Sequence, residues 1–187
     1  MKNSLTSLLP TGQGQTSQTH SSQAIVGCIE TLNQGYEFLE TLSAEDYIYL
    51  AQPHVSSSIG EHFRHWLDLF HAIKLDSSRI DYNVRRRGHQ VERDIDVAKQ
   101  EIRDLVTWLF ALPSGELHQP VTVETEVMLS QTQVEEVSST FVRELTFAAL
   151  HATHHFAMAK VVASIRGVES DSRFGVAPTT ATYQRAQ

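Results

Sequence analysis

The chain has 187 residues, a length that suits one domain and does not require two. Hydrophobic residues make up 41% and charged residues 20% of the chain, which is enough apolar material for a sizeable core. The formal net charge of -7 argues against a general nucleic-acid-binding protein. A single cysteine excludes an intramolecular disulfide framework and a multi-cysteine zinc site. The unusual count is ten histidines, because histidine is the commonest metal ligand.

The first segment of the chain lacks the pattern of an export signal. Leu8 and Leu9 are followed directly by Pro10, so no apolar run is long enough for the hydrophobic region of a signal peptide. No stretch approaches the roughly 20 apolar residues that span a bilayer. We therefore expect a soluble, cytoplasmic protein that does not enter a membrane. Residues 1–22 are rich in Ser, Thr, Gln and Gly, which predicts a flexible N-terminal tail.

Two long helices are predicted in the first half of the remaining chain. Apolar residues at helical spacing begin at Gln23 and predict helix 1, which ends near Leu42. Ser43 starts a short helical turn over residues 47–50, which Pro53 ends. The capping box of residues 58–61 then begins helix 2, which runs from Ile59 to about Leu75.

A polar link over residues 76–90 leads to the third helix and a predicted hairpin. Helix 3 runs from about Val91 to Leu112, with one apolar stripe along it. Residues 121–127 alternate with period two and predict a strand, and residues 131–137 are its weaker candidate partner.

The fourth helix completes the predicted fold. Ser138 or Ser139 can cap helix 4, which continues to about Arg166 and ends at Gly167, and the tail after it looks irregular. Four helices of this length predict an all-α, four-helix bundle with a small β-hairpin between helices 3 and 4. Residues 23–187 would form this one domain.

Six of the ten histidines fall in helices 2 and 4: His62, His65, His71, His151, His154 and His155. His151 and His155 are four residues apart, so their Cβ atoms lie about 5–6 Å apart on one helix face. Two such imidazoles can bind one ion, and helix 2 can supply a third ligand. Three protein ligands with an open position are typical of a catalytic metal site. The simpler alternative is that such a pair packs in the core or lies on the surface without binding an ion.

The supporting residues leave alternatives open. His62 and His65 are neighbours on helix 2, and spacing alone does not choose between them. Asp68 could accept the second N–H of His65 and orient it, or be a solvated surface carboxylate. Glu144 lies on the face of His151 and could orient a ligand or act as a base, or form an exposed ion pair with its neighbour. No catalytic residue is assigned.

Two segments resemble the DinB-like superfamily (DinB/YfiT-like metal-binding four-helix bundles), which includes thiol-dependent transferases. They are residues 58–68 (SIGEHFRHWLD) and residues 143–156, with HATHHF at the end, and the resemblance covers about residues 23–167. The family pattern is one histidine in helix 2, about seven residues after the Ser or Thr that opens it, and H-x-x-x-H in helix 4. The resemblance therefore implies His65, His151 and His155 as ligands.

The same resemblance implies further properties. His62 is the alternative ligand from helix 2, and His154 is more typical of packing or of orienting a ligand. A divalent ion, nickel or zinc, and a homodimer are implied as well. The residues after the last ligand are Phe156-Ala157-Met158, where many members have Arg-Gly-Gln. This chain would therefore belong to a different branch, and a known activity does not carry over.

Two functions follow as hypotheses. The first is a metal-dependent enzyme with an open three-histidine site that performs thiol transfer or hydrolysis on a small molecule, such as a low-molecular-weight thiol. The second is a non-catalytic scaffold, a metal-stabilised dimer or a stress-response binding protein. In the second case Arg85-Arg86-Arg87 could contact an acidic partner or phosphate, although a solvated polar link is the simpler interpretation. Neither hypothesis involves nucleic acid or a membrane.

Overall fold

The computed structural model describes residues 22–187, and within them the chain is mostly helical with a small three-stranded sheet. The helices are α1 (Gln23–Leu39), α2 (Ala44–Ile48), α3 (Ile59–Leu75), α4 (Ile95–Ala111), α5 (Phe141–Ile165) and α6 (Pro178–Arg185). The strands are β1 (Arg79–Asp81), β2 (Pro120–Glu126) and β3 (Val134–Thr140). The mostly helical fold expected from the sequence is confirmed. Residues 1–21 of the predicted tail lie outside the described residues.

The capping box predicted for α3 is present. The Ser58 hydroxyl accepts a hydrogen bond from the Glu61 backbone N–H (3.2 Å), and the Glu61 carboxylate accepts one from the Ser58 backbone N–H (2.7 Å). These bonds satisfy two donors at the helix start. The start predicted for the next helix was wrong: residues 90–92 form a separate 3-10 turn, and α4 begins after Asp94, whose carboxylate accepts from two backbone N–H groups.

The predicted hairpin is part of a larger sheet. β1, in the segment predicted as a polar link, pairs in parallel with β2, so that Ile80 lies opposite Val123. β2 pairs antiparallel with β3, which occupies residues 134–140 instead of the expected 131–137. Ser138 and Ser139 therefore belong to a strand, and Thr140 precedes α5. A strand of three residues is too short to show a period-two pattern, which explains why β1 was missed.

The tail after α5 is more ordered than predicted. Pro178 occupies the first turn of α6, a position where its missing N–H costs no hydrogen bond. Phe174 is buried, and its ring centroid lies 4.0 Å from that of Phe38 and 4.9 Å from that of Phe156. Phe174 therefore packs part of this segment on the helical core. The prediction of an irregular tail holds for residues 168–177 and was wrong for Pro178–Arg185, which form the exposed α6.

The four long helices share one core. α5 packs against α1 and α3, and α4 packs against the same two helices. Phe63 and Trp66 of α3 contact Phe156 of α5, with ring centroids 5.8 and 5.5 Å apart, and all three rings are buried. This aromatic contact sets α3 and α5 side by side. Among residues 22–187, none of the helices combines the length and apolar character needed to cross a membrane.

Candidate metal centre

Histidines of α3 and α5 meet where these two helices pack together. Nε2 of His65 lies 3.0 Å from Nε2 of His151, and Nε2 of His151 lies 3.1 Å from Nε2 of His155. One ring nitrogen from each side chain lies within 4.8 Å of the other two. The structure thus brings together the three histidines that the resemblance implies, and they could hold a metal ion.

The imidazole nitrogens suit a divalent ion in chemistry, and two of their separations suit one in spacing. Imidazole suits zinc, copper, iron and nickel, and its bond to zinc is about 2.0–2.1 Å long. Two nitrogens at that bond length are roughly 3.0 Å apart at a right angle and roughly 3.4 Å apart at a tetrahedral angle. The separations of 3.0 and 3.1 Å therefore fit neighbouring ligands of one ion. Within the described part of the chain the group has three members, one fewer than the four protein ligands of a typical structural zinc site.

The three side chains are neutral near pH 7. Burial, together with the charge of Arg85, lowers the pKa of His65 to about 3. Burial and the surrounding histidines lower the pKa of His155 to about 2. Burial, His154 and Arg85 lower the pKa of His151 from 6.5. Because a ligand must offer an unprotonated nitrogen, the binding form is available at physiological pH.

His62 contacts the group from behind. Its Nδ1 lies 2.9 Å from Nδ1 of His155, on the side of that ring opposite Nε2. If His155 held an ion through Nε2, its remaining proton would be on Nδ1 and could donate to His62. Burial lowers the pKa of His62, so it can accept this bond as a neutral ring. The contact would orient His155 in the way that a carboxylate or carbonyl often orients a metal-bound histidine.

Asp68 matches neither of its predicted roles. It is buried, which rules out a solvated surface carboxylate, and its oxygens accept from arginines instead of from His65. Arg86 donates from Nε (2.6 Å) and from its backbone N–H (3.1 Å), and Arg64 donates from Nη1 (3.3 Å). Asp68 therefore ties the segment before α4 to α3.

Glu144 is also buried. Its ion pair with the neighbouring Arg143 is present, but the carboxylate is not exposed as predicted. Its carboxylate accepts from the Tyr82 hydroxyl (2.8 Å), the Ser139 hydroxyl (2.5 Å) and Nη1 of the exposed Arg143 (2.8 Å). These partners join α5 to the sheet side of the molecule. In the described residues Glu144 makes no hydrogen bond to a histidine, and His154 is exposed beside the group.

One residue of the Arg85-Arg86-Arg87 run contacts the three-histidine group, which the sequence did not predict. Nη1 of Arg85 is in hydrogen-bond contact with Nδ1 of His65. Arg86 also donates from both terminal nitrogens to Glu101 (2.9 Å each), and Glu101 lies 2.9 Å from His71. Arg87 alone of the three is exposed. The interpretation as a solvated link is therefore wrong for Arg85 and Arg86, and no spacing rule connects them to a helix twenty residues away.

No family model matches the chain, and no solved structure matches it. The chain is similar to FK506-binding protein 5 of Rhizopus delemar, with 28% identity over 108 residues. This match covers 58% of the chain and 28% of that protein, so the chain spans less than a third of the length of the relative.

Proposed function

We propose that this chain is a divalent-metal-binding protein of the DinB-like superfamily, with α1, α3, α4 and α5 as the helices of a four-helix bundle. His65, His151 and His155 would hold nickel or zinc. The chain would be an enzyme that uses this metal for thiol transfer or hydrolysis on a small molecule, such as a low-molecular-weight thiol. The resemblance of residues 58–68 and 143–156 supports the family, and the pairwise packing of the four long helices supports the bundle.

One observation carries the functional proposal. Three imidazole nitrogens converge from two helices, and among the residues that the structure describes no fourth ligand completes the set. Structural zinc sites generally have four protein ligands, whereas catalytic sites have three and keep one position for water or substrate. A divalent ion there would act as a Lewis acid and lower the pKa of a bound water or thiol.

The protein's own residues prepare this site in two ways. Burial keeps His65 and His155 neutral at neutral pH, so no imidazolium has to lose a proton before the ion binds. His62 holds the ring of His155 in place through the Nδ1 contact of 2.9 Å. A ligand that is oriented before the ion arrives loses less conformational freedom on binding.

Metal analysis of the purified full chain tests the proposal. We expect one divalent ion per chain, and we expect loss of stoichiometric metal in His151→Ala and in His155→Ala. His154→Ala is the matched control, because His154 lies on the same helix but is exposed. Full metal content in both ligand variants would reject the site.

The alternative, a non-catalytic scaffold, makes a different prediction for metal removal. If the ion mainly fastens α3 to α5, a chelator should lower the melting temperature strongly. The two helices already share the buried contacts of Phe63 and Trp66 with Phe156, so we expect a small fall instead. A large fall would favour the scaffold or stress-response role. The homodimer that the resemblance implies is tested separately by light scattering on the metal-loaded chain.

A further inference from the structure

Arg85 forms no ion pair with a carboxylate in the described chain. Burial lowers the pKa of Arg85 and the charge of Asp68 opposes this effect, but both Asp68 oxygens already accept from Arg64 and Arg86. The neighbouring arginines are paired: Arg64 bonds to Asp68 and Glu92, and Arg86 bonds to Asp68 and Glu101. Within residues 22–187, no Asp or Glu oxygen lies within ion-pair distance of the Arg85 guanidinium. A guanidinium stays protonated at any physiological pH, and partial burial without a counter-ion is unfavourable.

The unpaired guanidinium lies beside the three-histidine group. Nη1 of Arg85 contacts Nδ1 of His65, and Nε2 of the same ring lies 3.0 Å from Nε2 of His151. The guanidinium therefore contacts one ligand side chain and is one ring away from a second. A divalent ion at the group would place two further positive charges near it, which strengthens the attraction for an anion.

The hydrogen bond that Arg85 makes to His65 is incompatible with metal binding by a neutral ring. Nδ1 can accept from Arg85 only if it carries no proton, and the proton of the neutral ring is then on Nε2. A metal bond at Nε2 requires the opposite tautomer, with the proton on Nδ1. Metal binding therefore removes the acceptor of Arg85, and the guanidinium needs another one.

We propose that Arg85 binds a carboxylate of the substrate, so that the site selects small molecules carrying an anionic carboxylate in addition to the group that meets the metal. This inference rests on the proposed metal site. A planar guanidinium matches a carboxylate with two parallel N–H···O bonds. The carboxylate would supply the acceptor that His65 no longer offers and would neutralise part of the positive charge of the site.

The test compares two thiols of equal chain length on cobalt(II)-loaded protein, with the visible spectrum as the readout. 3-Mercaptopropionate carries the carboxylate, and 3-mercaptopropanol replaces it with a neutral hydroxymethyl group. We expect the wild-type chain to bind the carboxylate thiol roughly tenfold to a hundredfold more tightly. Arg85→Met should reduce this ratio to near one, and Arg85→Lys should give an intermediate ratio because lysine keeps the charge without the planar fork. Arg87→Met is the control and should keep the wild-type ratio, since Arg87 is exposed.

The outcomes separate the two proposals. A wild-type chain that binds no stoichiometric cobalt rejects the metal site and this inference with it. A cobalt-loaded wild-type chain with a ratio near one overturns the role of Arg85 and leaves the metal site intact. A cobalt-loaded Arg85→Met variant that still prefers the carboxylate thiol has the same consequence.

Discussion

Replacing His62 with phenylalanine tests how the metal ligands are oriented. The substitution keeps an aromatic ring of similar shape on α3 and removes the nitrogen that lies 2.9 Å from Nδ1 of His155. The Nδ1–H of a metal-bound His155 would then face ring carbon atoms and would have no acceptor at this position. Leaving a buried donor without an acceptor costs about 1–3 kcal/mol, and each 1.4 kcal/mol is about tenfold in affinity. We therefore expect metal affinity to fall by roughly 10- to 100-fold, in line with losses seen when such supporting contacts are removed.

The assay is a competition titration of zinc between the protein and a chromophoric chelator. His65→Phe removes one of the three proposed ligands and should abolish zinc binding. His154→Ala changes an exposed residue and should leave the zinc affinity unchanged. His62→Gln keeps an acceptor oxygen and should fall between wild type and His62→Phe. Circular dichroism of each metal-free variant checks that the helices are retained.

Two results would refute this reasoning. Wild-type affinity in His62→Phe would mean that His62 does not orient His155. Complete loss of binding in His62→Phe with retention in His65→Phe would mean that His62 is the ligand from α3 and His65 is not.

Two further predictions concern the packing that supports the site. A Cβ atom on Gly60 would lie 2.1 Å from the carbonyl oxygen of Glu92, whereas one on Gly27 would meet nothing within 4 Å. Gly60→Ala should therefore destabilise the fold by roughly 2–3 kcal/mol and Gly27→Ala should stabilise it by up to about 1 kcal/mol; equal urea midpoints would contradict this. Burial acts to raise the pKa of Glu101, but hydrogen bonds from His71 and Arg86 outweigh it and lower the pKa from 4.5 to about 2. Since the folded pKa is the lower one, the carboxylate adds stability above pH 4.5 and loses it as the pH falls toward 2. Glu101→Gln should be less stable by roughly 1–2 kcal/mol at pH 7, with a difference that narrows below pH 4.5; a constant difference in unfolding free energy from pH 7 to 3.5 would count against the assignment.

Local sequence was sufficient for the parts of the site that depend on one helix. The capping box places the start of α3 at Ile59, as predicted. The spacing of His151 and His155 puts them on one face of α5, because residues four apart on a helix are neighbours. Both facts follow from backbone geometry within a few residues, and no distant contact is needed to establish them.

The boundaries between elements were less predictable. β1 has three residues, and its strand geometry comes from pairing with β2, more than forty residues later. The register of β3 likewise depends on its partner, which moves Ser138 and Ser139 from a helix start into a strand. A short segment takes its structure from its neighbours in space, so its own residues carry little signal.

Length, composition and helical spacing by themselves determined a mostly helical chain with a histidine pair on α5 and two candidate histidines on α3. Only the tertiary structure decided what each α3 histidine meets: His65 faces Nε2 of His151, and His62 faces Nδ1 of His155. It also decided that Arg85 lies beside His65 and that Glu144 is buried against Tyr82. The physical reason is that residue spacing sets neighbours on one helix, whereas the rotation of α3 against α5 is set by core side chains such as Trp66 and Phe156. Three of the ten histidines of the sequence thus form one group only because α3 and α5 pack together.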